Sequence, residues 1–100
     1  MSYAYCSDTM YDERVIQNIE GVNLVYHEAT FLHEKIERAI QTMHSTALQA
    51  GMVAKKANVE KLLIGHFSSR YDNLDILLNE TKSEFENSFI ANEGEKFIWE

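Results

Sequence analysis

Three short apolar runs, separated by segments of helical periodicity, most constrain how this chain can fold. The runs cover residues 2–6, 22–29 and 60–67. Runs of this length are typical of strands, and the second is apolar enough to be buried on both faces of a sheet. Strands that alternate with helices predict an α/β fold in which crossover helices join parallel strands.

Four segments carry apolar residues at the spacing of an amphipathic helix. Asp12 can cap the first segment and Gly21 can end it, while Ser45 or Thr46 can cap the third. Strand alternation near the C-terminus favours a hairpin. The predicted helices are 12–20, 33–43, 45–58 and 73–85, and the predicted hairpin covers 88–100 with its turn at Glu93-Gly94.

The composition is that of a globular protein with an acidic surface. Of the 100 residues, 45% are hydrophobic and 25% are charged, so disorder is not expected. The length predicts a single domain or a part of one. The formal net charge of -7 disfavours a general nucleic-acid binder, although local basic residues can still guide a polyanion.

Cysteine content and the lack of a targeting segment predict a cytoplasmic protein. Cys6 is the only cysteine, so no intramolecular disulfide can form, which fits a reducing compartment. The first ten residues lack the basic start and the long apolar run of a signal peptide. No apolar segment approaches the roughly 20 residues that span a bilayer, so no membrane partner is expected.

Polar clusters follow the predicted strands and precede one predicted helix. If the strands are parallel neighbours, their carboxyl ends meet at one edge of the sheet, where ligand sites form in folds of this kind. The sequence therefore predicts a site at that edge. The clusters are Ser7-Asp8-Thr9, His27-Glu28, His44-Ser45-Thr46, and His66 with Ser68, Ser69 and Arg70.

Each candidate residue in these clusters also has a purely structural interpretation. Asp8 can bind a divalent cation, or it can end a strand and cap the next element. His44 can meet an anion at a helix start and donate a proton, or it can be a loop residue. His66 is the strongest candidate because its imidazole suits zinc or manganese, yet a hydrogen-bonded core histidine explains the pattern equally well. His27 is more simply a buried histidine, and His33 a surface residue.

Three motifs in a fixed order carry a resemblance to a known family. They are "YCSDT", "YHEATF" and "HSTALQAGMVAKKANVEKLLIGHFSSRY". Together they resemble the C-terminal part of ribonuclease Z, the tRNA 3′-end processing endonuclease of the metallo-β-lactamase fold. The resemblance implies the C-terminal half of an αββα sandwich, with mostly parallel strands, flanking helices and a C-terminal hairpin. It also implies a homodimer that uses two divalent metals, usually zinc, to hydrolyse a phosphodiester in tRNA precursors.

The resemblance further implies roles for two pairs of residues. Asp8 matches the carboxylate that bridges the two metals, and His66 matches the last histidine ligand. Glu28 and His44 match the pair that holds and protonates the leaving 3′ oxygen. An imidazole backed by a carboxylate is a suitable proton donor for such a step.

The segment "HFSSRY" adds two candidate contacts with the substrate. Arg70 and Ser68 lie in this segment, where the resemblance implies contact with a phosphate of the substrate or structural pairing. A tRNA precursor is a polyanion, so a local arginine fits this role even though the chain is acidic as a whole.

The main metal motif of the family, His-x-His-x-Asp-His, is absent from this chain. The four histidines include no His-x-His pair, and the further metal histidine before the Asp-Thr turn is also absent, as is the arm that grips tRNA. Residues 1–100 are therefore expected to be a single or partial domain, the C-terminal part of a longer enzyme that starts here at an added or internal Met1. Such a chain is expected to be inactive alone.

Two other functions remain open from the sequence. The chain can be a non-catalytic module that binds or self-associates through a sheet edge left by the missing half. It can also be another hydrolase of the metallo-β-lactamase fold, which the combination of "HEAT" and "HST" disfavours.

Overall fold

A parallel β-sheet forms the centre of the computed structural model, which describes residues 2–6 and 11–91. Its strands are β1 (Tyr3–Cys6), β2 (Leu24–Glu28), β3 (Lys61–Gly65) and β4 (Ser88–Ile90). They lie side by side in the order β1-β2-β3-β4, and every pair of neighbours is parallel. The predicted α/β fold with parallel strands is confirmed.

In the described residues, four helices connect the strands, as predicted, and each is shorter than its predicted segment. Asp12 caps the first helix by accepting a hydrogen bond from the amide of Arg14. Thr46, and not Ser45, caps the third. None of the helices in the described part of the chain is long and apolar enough to cross a membrane. The helices are α1 (Glu13–Asn18), α2 (Ile36–Thr42), α3 (Ala47–Ala57) and α4 (Asp75–Lys82), with a 3-10 turn (His33–Lys35) before α2.

The register of the sheet brings the carboxyl ends of its strands to one level. Cys6 of β1 pairs with His27 of β2, which pairs with Ile64 of β3, and Ile64 pairs with Ile90 of β4. Residues that follow these strands therefore begin at the same edge of the sheet. This is the edge where the sequence predicts a site.

The predicted C-terminal hairpin is described only in its first strand. Ser88–Ile90 forms β4 and pairs in parallel with β3. The rest of the hairpin, with its predicted turn at Glu93-Gly94, lies outside the described residues.

Small side chains let α3 pack closely against the sheet and against α4. A Cβ added at Gly51 would lie 2.5 Å from the backbone oxygen of Thr81, a distance that real Cβ atoms do not tolerate. The hydroxyl of Thr81 donates a hydrogen bond to the carbonyl of Ala47 at 2.9 Å and so joins the two helices. Four alanines of α3 are fully buried: Ala47, Ala50, Ala54 and Ala57.

Replacing Gly51 with alanine is expected to lower the free energy of unfolding by about 1–3 kcal/mol, the usual cost of overpacking. In an open helix the same change would raise stability by roughly 0.5–1 kcal/mol, so the sign of the change is informative. Urea unfolding followed by circular dichroism measures it. Lys55→Ala, at an exposed position of the same helix, should change stability by no more than about 0.5 kcal/mol. A more stable Gly51→Ala variant would contradict the close approach of α3 and α4.

Candidate active site

The carboxylate of Glu28, at the carboxyl end of β2, is the centre of the candidate site. Its side chain is fully buried, and its Oε2 atom accepts hydrogen bonds from two side chains and one amide. The hydroxyl of Thr30 donates at 2.6 Å, Nδ1 of His44 at 2.8 Å and the amide of Ser45 at 3.3 Å. An ionised carboxylate only accepts hydrogen bonds, so the proton of the His44 ring lies on Nδ1.

Backbone hydrogen bonds connect the three loops that follow β2, α2 and β3. The amide of Thr30 donates to the carbonyl of Ser45 at 3.0 Å, and the carbonyl of Thr30 accepts from the amide of Ser68 at 2.9 Å. The loop after β2 is thus held between the other two. This arrangement fixes the side chains of the predicted clusters relative to one another.

His44 lies in the short connection between α2 and α3. Met43 ends α2 in the left-handed conformation, with φ of 60°, and the amide of His44 donates to the carbonyl of Ala39 at 2.8 Å. Two residues later, Thr46 forms a capping box with Gln49 at the start of α3. The imidazole of His44 is therefore carried on backbone that is fixed on both sides, and 22% of the side chain is exposed.

His66 follows β3 and shares the site with Glu28 and His44. Its backbone is left-handed, with φ of 58°, a conformation that costs a residue other than glycine roughly 1–2 kcal/mol. Residues with such strain concentrate at functional sites. Nδ1 of His66 lies 3.9 Å from Oε2 of Glu28, and its ring meets that of His44 edge-on, with 5.2 Å between the centroids.

The remaining predicted site residues lie on the loop after β3 or outside the described residues. Ser68 is half-buried, and its hydroxyl accepts a hydrogen bond from the amide of Arg70 at 3.4 Å. Arg70 is exposed, and its guanidinium carbon lies 5.7 Å from the centre of the Phe31 ring. Asp8 lies outside the described residues, so its role stays a prediction.

His27 is a buried histidine, as its position in an apolar strand indicates. Only 1% of it is exposed, and its ring lies with Nδ1 2.7 Å from the carbonyl oxygen of Glu28, to which it donates. Burial lowers the pKa of His27, and the hydrogen bond to Glu28 offsets only part of this effect. His27 is therefore neutral and forms part of the core.

Several contacts of the site are not predicted by the sequence patterns. His33, predicted to be a surface residue, is half-buried with Nδ1 3.0 Å from the hydroxyl of Thr46. The hydroxyl of Tyr71 accepts a hydrogen bond from the amide of Leu32 at 2.9 Å. The hydrogen bond from the Thr30 hydroxyl to Glu28 is also not predicted. A threonine two residues after a glutamate at the end of a strand is nevertheless a usable signal for it.

Three side chains in the described part of the chain could hold a metal ion together. Glu28, His44 and His66 each offer one ligand atom, and these atoms lie within 4.8 Å of one another. Imidazole nitrogen and carboxylate oxygen are ligands that zinc accepts. The carboxylate of Glu28 already accepts three hydrogen bonds, whereas 46% of the His66 side chain is exposed. The three residues are of types that zinc binds, but Glu28 and His44 are hydrogen-bonded to each other, so His66 is the most available ligand of the three.

Curated relatives match nearly the whole of this chain, whereas no family model matches it. Ribonuclease Z of Cytophaga hutchinsonii is 51% identical over 96 residues, which are 96% of this chain and 31% of the relative. Ribonuclease Z of Phocaeicola vulgatus is 52% identical over 91 residues, which are 91% of this chain and 29% of the relative. The chain spans about a third of the length of the relatives that it matches.

Comparison with solved structures identifies the fold of this chain. The metallo-β-lactamase fold protein YhfI from Bacillus subtilis matches 96% of this chain with a TM-score of 0.83 and 29% identity, and the match covers 38% of that protein. A long-form RNase Z from yeast matches 70% of this chain with a TM-score of 0.66 and 36% identity, covering 10% of that protein. Human tRNase Z, short form, matches 77% of this chain with a TM-score of 0.58 and 25% identity, and the match covers 24% of the human protein. These matches confirm the metallo-β-lactamase fold implied by the resemblance, with this chain corresponding to part of it.

Replacing Thr30 with valine is expected to lower the free energy of unfolding by about 1–3 kcal/mol, because the buried carboxylate of Glu28 loses a donor. Thr30→Ser keeps the hydroxyl and should retain most of the stability. Chemical denaturation of both variants measures the difference. Equal losses in the two variants would mean that the hydroxyl does not stabilise the carboxylate.

Stability is expected to fall on acidification below the ordinary His27 pKa of 6.5. Because the pKa of His27 is lowered in the folded state, the unfolded chain binds more protons in this range. The contribution of His27 to the free energy of unfolding is complete above its unfolded-state pKa. It is lost as the pH falls toward the lower pKa of the folded state, at up to about 1.4 kcal/mol per pH unit. Urea unfolding between pH 7 and pH 5 measures the slope. His27→Asn, whose amide can replace the Nδ1 donor, should have a slope smaller by up to one proton, and equal slopes would exclude His27 as the cause.

Proposed function

We propose that this chain, which corresponds to a C-terminal portion of ribonuclease Z, supplies one side of an active site that cleaves tRNA precursors at their 3′ ends. The complete enzyme would hydrolyse the phosphodiester that joins the 3′ trailer to the tRNA. The observation that carries this proposal is the 2.8 Å hydrogen bond between Nδ1 of His44 and the buried carboxylate of Glu28.

His44 is the general acid in this proposal. Its Nδ1–H donates to Glu28, which orients the ring and leaves Nε2 as the atom that passes a proton to the leaving 3′ oxygen. The partial exposure of His44, at 22% of its side chain, is consistent with access by a substrate.

Zinc is the proposed metal, and its proposed ligands from this chain are Asp8 and His66. His66 offers an imidazole at the edge of the site, and the assignment of Asp8 rests on the sequence resemblance. Two bound zinc ions would activate a water and stabilise the charge on the phosphate oxygens. Because a zinc site takes at least three ligands from protein, the remaining ligands would come from the rest of the enzyme.

Arg70 and Ser68 are the proposed contacts for the substrate phosphate. A cation–π contact with the Phe31 ring would hold the Arg70 guanidinium in place without using its N–H donors. Those donors suit the bidentate pairing that arginine makes with phosphate. The hydroxyl of Ser68, on the same loop, can add one further donor.

Residues 1–100 are proposed to be a partial domain that is inactive alone. Two facts support this proposal. The chain spans about a third of the relatives' length, and its sequence lacks His-x-His-x-Asp-His. The complete enzyme is proposed to be a cytoplasmic homodimer.

A non-catalytic module that self-associates is the second candidate. Tyr5 is 64% exposed and Phe89 is 43% exposed. The register places both on one face of the sheet, with Tyr26 and Leu63 between them. Exposed apolar side chains on one face favour association. Sedimentation velocity separates the candidates, since a monomer at high protein concentration would argue against this one.

The isolated chain is expected not to cleave a tRNA precursor in zinc or manganese, and the N-terminal portion of a ribonuclease Z is expected to restore cleavage. In the restored enzyme, Asp8→Ala and His66→Ala should lose bound metal together with activity. His44→Ala and Glu28→Gln should slow single-turnover cleavage about 10²–10⁴-fold, the usual contribution of a general acid, while keeping the metal.

Gel assays of cleavage and elemental analysis of zinc provide the two measurements. Cleavage by the isolated chain would contradict the partial site. If His44→Ala and Glu28→Gln lost as much zinc as the first pair, the roles assigned to His44 and Glu28 would be wrong.

A further inference from the structure

Glu80 of α4 connects that helix to the turn that precedes α2. Both of its carboxylate oxygens accept a hydrogen bond from the amide of His33, at 3.0 and 3.1 Å. Burial raises the pKa of Glu80, and the hydrogen bond from His33 offsets part of this effect. A half-buried carboxylate is costly unless it has partners, and the His33 amide is such a partner for Glu80.

His33 in turn contacts the start of α3. Its ring atom Nδ1 lies 3.0 Å from the hydroxyl oxygen of Thr46, which is fully buried. The same hydroxyl accepts a hydrogen bond from the amide of Gln49, and the amide of Thr46 donates to the side-chain oxygen of Gln49. The hydroxyl at the helix cap is therefore held by contacts from inside and from outside α3.

The cap at Thr46 follows His44 by two residues. Ser45, between them, donates its amide to the carboxylate of Glu28 at 3.3 Å, and His44 donates Nδ1 to the same oxygen. The segment 44–46 is thus bonded to Glu28 through His44 and Ser45, and to α4 through Thr46, His33 and Glu80. Movement of the cap would move both donors away from the carboxylate.

We propose that Glu80 and His33 are positioning residues for His44. Through Thr46 they hold the start of α3 in the place where the His44 ring meets Glu28. That the His44 ring matters for cleavage rests on the proposed function. The hydrogen-bonded connection from Glu80 to His44 does not depend on it. None of the sequence motifs includes Glu80, which reaches the site only through the fold.

Nuclear magnetic resonance on the intact 100-residue chain tests the connection without an activity assay. Glu80→Ala removes the acceptor for the His33 amide, and His33→Ala removes the ring that meets Thr46. Glu80→Gln keeps an oxygen acceptor and is the rescue variant. Glu37→Ala, on the exposed side of α2, is the matched control. Amide hydrogen exchange and the ¹⁵N signal of His44 Nδ1 are recorded for each.

Glu80→Ala and His33→Ala are expected to speed exchange of the Ser45 and Gln49 amides about five- to ten-fold, as the loss of one hydrogen bond implies. The His44 Nδ1 signal should shift toward that of a free imidazole. Glu80→Gln and Glu37→Ala should match the unmodified chain, and exchange in β2 should be unchanged in all four variants.

Two results would overturn the proposal. One is an unchanged His44 signal with unchanged Ser45 exchange in both Glu80→Ala and His33→Ala. The other is an equal rise of exchange in β2, which would mean general loss of stability in place of a local effect. Because no cleavage is measured, failure of the tRNA assay leaves this result standing, and failure here leaves the proposed function untouched.

Discussion

The buried carboxylate of Glu28 is the constraint on which the arrangement of the site depends. A carboxylate without exposed surface is stable only where donors surround it, and here they come from Thr30, His44 and Ser45. Two stretches of chain must therefore meet at the end of β2: the loop that follows it and the start of α3. The same requirement that stabilises the carboxylate orients the imidazole of His44.

Close packing of α3 supplies the rigidity that this arrangement needs. The helix rests on the sheet through alanines and meets α4 at Gly51, so it has little freedom to slide. Its first turn is fixed by the capping box of Thr46 and Gln49. A donor carried just before such a turn keeps its direction. The positions of α3 and α4 in the core thus bear directly on the site at the edge of the sheet.

Periodicity was sufficient to predict the architecture and part of the site. Short apolar runs between amphipathic segments have few solutions other than parallel strands with crossover helices, and that topology brings Glu28, His44 and His66 to one edge. The contact of His33 with Thr46 could not be predicted in the same way, because it depends on how a 3-10 turn directs one ring. Likewise, Ser45 and Thr46 both offer a hydroxyl suited to a helix cap, and the choice of Thr46 depends on where α3 begins and on its reciprocal bonds with Gln49. Such choices depend on contacts between distant segments, which a linear pattern does not record.

The order of the sheet has a consequence for how the site comes into existence. Strand order equals chain order, so each pairing closes one loop, and paired residues such as Tyr3 and Leu24, Leu24 and Lys61, and Leu62 and Ser88 are 21, 37 and 26 positions apart. The entropy lost in closing a loop grows with its length, and non-local pairing of this kind slows folding. The longest closure, between β2 and β3, is the one that brings His66 to Glu28. The edge that carries the candidate site is therefore the part of the described sheet whose formation carries the largest entropic barrier.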